Sequence, residues 1–227
     1  MVPRYLTLTL LFFSTLCAFA QSGSTYPTVT RKAAALTNAP IQQISTNQFR
    51  IGLVLLDKSS RSLTFPAAIN MSSNLIEFVC DSGDTKLHES LLRADVSPLH
   101  VHLAALLLSK SAPGDTNPIP VSISVLTGKD QPARPLEDFI QKSDPKSDKA
   151  SPMAKGNWVY TGWNQYGGRL PSEISGVVIA LLGDSTALIN SKDPDHEDDQ
   201  LWRVNPETTP PVGTKVEIKV TFPKSKS

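Results

Sequence analysis

HESLLRADVSPLHVHLAALLLSK, residues His88 to Lys110, holds three of the four histidines and the densest apolar run after the first twenty residues. Ser97-Pro98 is a helix start: a Ser side chain caps free first-turn amides, and Pro at the first helical position loses only an amide that had no partner. Leu99 to Lys110 is Leu- and Ala-rich, with Val101 its one β-branched residue, so helix is favoured over strand. Leu103 to Leu108 is apolar on every side, as expected of a helix buried between layers. Lys110 falls where a cation complements the helix dipole, and Pro113-Gly114 closes the segment. The reading is a dominant buried helix over about 98–110.

Within that helix His100 and His102 are two positions apart and do not face each other, so they read as structural or surface histidines; a shared metal would require an extended segment. Upstream, Leu75 to Cys80 and Leu87 to Leu92 flank Ser82-Gly-Asp-Thr85, the pattern of a hairpin. On the second run Glu89 shares an apolar face with Leu87 and Leu91, which calls for a polar partner. Glu89 and His88 are therefore the first candidates for a functional side chain.

Thr64-Phe-Pro-Ala-Ala-Ile-Asn-Met71, His88-Glu-Ser-Leu-Leu92, Pro98-Leu-His100 and the Leu-rich helix after it form a pattern that resembles the YdjY-type family. Trp158-Val-Tyr160, Ile189-Asn190 and Pro211-Val-Gly-Thr214 fit it more loosely, so the resemblance spans roughly residues 48–223. It implies an exported bacterial protein of unassigned function. An iron–sulfur role sometimes attached to that family is not carried over, because such clusters need several thiolates and only Cys80 remains after export.

The chain starts Met-Val-Pro-Arg4, continues with an apolar Tyr5 to Phe13, and reaches Ala18-Phe-Ala20 before Gln21, the layout of a secretory signal peptide cleaved after Ala20. The apolar part is short for a membrane span. Ser14-Thr-Leu16 lacks the small residue expected directly ahead of a lipidated Cys17. Cleavage leaves 207 residues, and losing Arg4 balances the 22 basic against the 21 acidic residues. That leaves no basic excess to attract nucleic acid or an anionic membrane. Cys80 then has no partner for an internal disulfide and is expected to be buried. A periplasmic or secreted location follows, with a flexible leader over 21–46, a single domain over 47–223 and a tail over 224–227.

Phe49 to Leu56 and Ser62 to Phe65, stopped by Pro66, read as strands. Pro120 to Leu126 alternates Val121, Ile123 and Val125 against serines, and Val216 to Phe222 alternates against Glu217, Lys219 and Thr221. Asn157 to Thr161, Gly176 to Leu182 and Ala187 to Ile189 are further strands. Pro135 to Lys142, with Pro first and acids in the first turn, reads as a short second helix. The fold class expected is α+β, with a mainly antiparallel sheet.

Val178-Ile-Ala-Leu-Leu-Gly-Asp-Ser185 is similar to the first block of GDSL esterases, whose Ser is the nucleophile. The block opens that family's domain, whereas 42 residues remain here and His196 follows Ser185 by only 11 positions. A Gly-Asp-Ser turn between strands accounts for it. Asp193 to Asp199 is an acidic loop without the Gly and final Glu of an EF-hand. Trp158, Tyr160, Trp163, Tyr166 and Trp202, with glycines interleaved, form either the core of a β-rich subregion or a loop surface that stacks on sugars or peptides. No phosphate-binding glycine loop, zinc ligand set or CxxC is present, so no cofactor is expected. The resulting expectation is a non-catalytic binding module with an unidentified protein or small-molecule partner, contacted through His88, Glu89, His100, Trp163 and Tyr166. The alternatives are a metal-dependent protein or an enzyme using His88 and Glu89 and, more remotely, a GDSL-like esterase with Ser185.

Overall fold

The computed structural model describes residues 41–109, 117–128, 130–144, 149–162 and 170–224. In chain order the elements are β1 Ile41–Gln43, β2 Gln48–Ile51, β3 Val54–Asp57, β4 Ser62–Ile69, β5 Phe78–Asp81, β6 Ser90–Arg93 and α1 Pro98–Ser109. There follow β7 Ile119–Leu126, β8 Arg134–Pro135, β9 Ile140–Ser143, β10 Ala150–Pro152, β11 Trp158–Tyr160 and α2 Pro171–Ser175. The last are β12 Val177–Ala180, β13 Ile189–Ser191, β14 Trp202–Val204 and β15 Lys215–Thr221.

Eight of these strands close on themselves in the order β4, β15, β7, β11, β13, β12, β5, β6, with β6 returning to β4. The β12–β13 and β5–β6 pairings are parallel and the other six antiparallel. A β1–β2–β3 extension grows from β4, and β9, β10 and β14 form a separate three-stranded sheet. The architecture is thus a β-barrel with extra strands, which overturns the expected α+β fold with a dominant helix. Alternation drives it. Leu63, Phe65, Ala67 and Ile69 of β4 point inward, as do Val121, Ile123 and Val125 of β7 and Val216, Ile218 and Val220 of β15. Side chains fill a barrel of this strand number, each large apolar one contributing roughly 1.5–3 kcal/mol. β5 and β12 are buried throughout, whereas β4, β15 and β7 keep a wet outer face.

α1 forms where expected, but it lies on the β2–β4 wall with one face buried, and Leu107 is exposed. Its cap also differs. Ser97 Oγ donates to Glu173 Oε1 (2.8 Å), and that same oxygen accepts the Leu99 amide (2.6 Å), so a carboxylate from α2 caps α1. At the other end Arg61 Nη2 donates to the Leu108 carbonyl, the role given to Lys110, which lies outside the described residues. The second helix expected over 135–142 is a 3-10 turn, Leu136–Phe139, running into β9. β9 pairs on both edges, with β10 and β14, and this pairing outweighs the weak helix preference of so short a segment. The turn's Glu137 is buried and accepts the Trp158 Nε1–H (3.0 Å) and the Gly156 amide (2.9 Å).

Three strand readings also change. Phe49 to Leu56 is two strands, because Gly52 takes φ 57° and turns Ile51 onto Val54. β4 runs through Pro66 to Ile69. Leu75–Cys80 and Leu87–Leu92 do not make a hairpin: β5 and β6 run parallel, Phe78 opposite Ser90 and Cys80 opposite Leu92. Buried Asp81 holds the connection between them, accepting the Gly83 amide (2.6 Å) and the Lys86 amide (3.1 Å). Among the described residues no helix is long and apolar enough to cross a membrane.

Candidate functional site

The structure disperses the histidines of the His88–Lys110 stretch. His88 and Glu89 sit in a 3-10 turn, Leu87–Glu89, rather than on a strand. His88 Nε2 lies 3.3 Å from Glu89 Oε1, with the imidazole mostly exposed. The polar group beside Glu89 is Glu77, whose amide donates to the Glu89 carbonyl (3.0 Å). Burial, and next the Glu89 charge, raise the Glu77 carboxyl above its ordinary value, with Lys86 opposing and Asp199 adding to the rise. A proton is therefore held more readily on Glu77 than on an isolated carboxyl. Among the described residues no three His, Cys, Asp or Glu side chains are grouped to hold a metal.

His100 is elsewhere, its ring against Gly52. A Cβ at Gly52 would overlap the imidazole, lying 2.6 Å from Cε1, and His100 Nε2 is buried with no hydrogen-bond partner among the described residues. His102 points the other way, its Nδ1 2.7 Å from the Tyr160 hydroxyl. Burial lowers its pKa to about 4 and pushes the Tyr160 phenol well above its usual range. This pair belongs to the core, with Phe222 edge-on to the Tyr160 ring. Trp158 and Trp202 are core residues too, whereas Trp163 and Tyr166 lie outside the described residues.

Gly183-Asp-Ser185 is a turn in which Asp184 Oδ1 accepts from the Thr186 amide and hydroxyl, both at 2.7 Å. Exposed Ser185 has no hydrogen bond to His196, whose Nδ1 is 2.7 Å from the Asp193 carbonyl. Asp195 is paired with Lys142, so the acidic loop is tied down in part. Cys80 is fully buried as a free thiol, and burial raises its pKa.

A groove that the sequence reading missed opens on the outer barrel wall. It has a volume of about 750 Å³, within the range of small-molecule sites. Its floor is Pro66 and Ala68 of β4, and Leu53 and Leu126 flank it. Its charged rim is Arg93, Asp95, Lys215 and Glu217. The groove lies where β4 changes partner: Leu55 of β3 pairs with Thr64, and Arg93 of β6 pairs with Ala68. Pro66 sits between those pairs, where a missing amide hydrogen is tolerated. Pro66 and Ala68 carry small side chains, and Leu53, Thr127 and Gly128 complete the lining. The available signals were the proline inside a β-rich run and the outward Lys215 and Glu217.

Compared with family models, with curated proteins and with solved structures, the chain matches none of them.

Proposed function

We propose that this protein is an exported, non-catalytic binding module whose recognition surface is the groove over β4 and β15. The observation that carries the reading is the groove itself. About 750 Å³ of concave, partly apolar space lies on a barrel whose inward side chains are packed together. Export rests on the Met1–Ala20 leader and on the resemblance to YdjY-type proteins. The test is a thermal-shift screen of small amphipathic molecules against the protein and its Ala68→Trp variant, in which an indole occupies the floor. Ligands that raise the melting temperature of the first and not of the second support the reading; hits that act equally on both place recognition elsewhere.

A metal-dependent role for His88 and Glu89 is the second reading, favoured by the 3.3 Å His88–Glu89 contact, with any further ligand supplied by solvent, since no trio of His, Cys, Asp or Glu is grouped among the described residues. Stoichiometric zinc or manganese retained after dialysis, and lost in His88→Ala, would support it over the groove.

A further inference from the structure

The groove is not uniform along its length. Its outward rows follow from the strand register. Ala68 pairs with Arg93 on one side and Lys215 on the other, so two cations flank a methyl group in one row. With strands about 4.8 Å apart, their Cα atoms stand roughly 10 Å from each other, a span that a single acid group can bridge between two long side chains. The next row is Pro66, Glu217 and Leu126, which offers two apolar surfaces.

The cations are open to a ligand. The Lys215 side chain is exposed and has no ion pair or hydrogen bond among the described residues. Arg93 reaches Asp95 only at 3.8 Å, with both side chains mostly in solvent, a contact of little strength. Glu217 lies one pleat from Lys215, roughly 7 Å along β15, and repels an anion shifted by one row. The row of Arg93 and Lys215 is therefore where an acid group is held, and Pro66, Leu126 and Leu53 are where a hydrocarbon is covered.

Resting on the reading of the groove as a binding surface, we infer that its ligand is an amphipathic carboxylate, an acyl chain whose acid group is bridged by Arg93 and Lys215 while the chain lies over Pro66, Leu126 and Leu53. Two charge-assisted contacts at a rim select the head group, and the apolar floor supplies sequence-independent affinity.

The experiment is isothermal titration of the protein at low ionic strength with dodecanoate, dodecanol and dodecylammonium, each below its micellar concentration. Dodecanoate binds one to one, ahead of the other two. Lys215→Gln and Arg93→Gln each weaken it by about threefold to fivefold, as solvent-exposed charge contacts do. Both side chains are exposed, so these variants keep the fold. Equal binding of dodecanol and dodecanoate, or preference for dodecylammonium, with all binding lost in Ala68→Trp, overturns the head-group assignment and leaves the groove reading standing. Dodecanoate binding that is absent, or indifferent to Lys215→Gln and Ala68→Trp alike, overturns both.

Discussion

Acid destabilises this fold through His102, and the structure sets the size of the effect. The imidazole is 4% exposed on α1 and faces the Tyr160 hydroxyl. Burial holds its pKa at about 4, against 6.5 for the ordinary group. A histidine whose folded pKa lies below its unfolded value binds protons more readily in the unfolded chain. Its contribution is therefore intact above about pH 6.5 and is lost as the pH falls toward 4. Between pH 7 and pH 4.5 the loss comes to about 2 kcal/mol, a large share of the 5–15 kcal/mol that holds a typical domain together. Carboxylates titrate over part of the same range, so the comparison is with His102→Gln, which keeps a polar group toward Tyr160 but takes up no proton. Urea unfolding, followed by the fluorescence of buried Trp158 and Trp202, gives the stability of both proteins at the two pH values. The protein loses about 2 kcal/mol more than the variant on acidification. Losses equal to within about 0.5 kcal/mol would refute the argument, because they require the native imidazole to accept a proton as readily as the unfolded one.

Gly52→Ala destabilises by about 2–4 kcal/mol, from a Cβ at positive φ and its overlap with His100; adding His100→Ala recovers the overlap part in a double-mutant cycle of urea midpoints. Glu173→Ala costs about 1–2 kcal/mol, because the Leu99 amide and Ser97 hydroxyl lose their shared acceptor, and amide exchange in the first turn of α1 speeds up accordingly. Glu77→Gln raises the urea midpoint at pH 7. A carboxyl whose folded pKa is raised carries a penalty above that pKa, and the gain vanishes below its unfolded value, near pH 4.

What was legible in the sequence was period and local chemistry. The alternation of Val121, Ile123 and Val125, and of Val216, Ile218 and Val220, names two barrel strands outright, because one-sided burial leaves its trace residue by residue. Ser97-Pro98 marks the start of α1 for the same kind of reason. What was illegible was pairing. Leu75–Cys80 and Leu87–Leu92 look like hairpin arms at their spacing, yet they lie as parallel neighbours whose connection is held by two amides donated to Asp81. Pro135–Lys142 has a helical start, yet partners 60 residues downstream, at β14, draw Ile140 to Ser143 into a sheet. The five-residue α2 was readable and went unread: Pro171 at its first position and Gly176, at φ 86°, just past its end are the usual punctuation.

The candidate site separates along the same line. His88, Glu89 and His100 attract notice because titratable side chains in an apolar run need explaining, and the structure explains each locally: Glu89 by Glu77, His88 by Glu89, and His100 by the bare backbone of Gly52. The groove is made of residues that attract none, a proline, an alanine, two leucines and surface charges, drawn from five separate parts of the chain. Its existence depends on a single topological event, the handover of β4 from β3 to β6 across Pro66. A strand that continued to pair with β3 beyond Thr64 would leave no room for Arg93 beside Ala68, and the cation pair would not form. The proline that looked like the end of a strand is instead the place where the barrel closes and the groove opens.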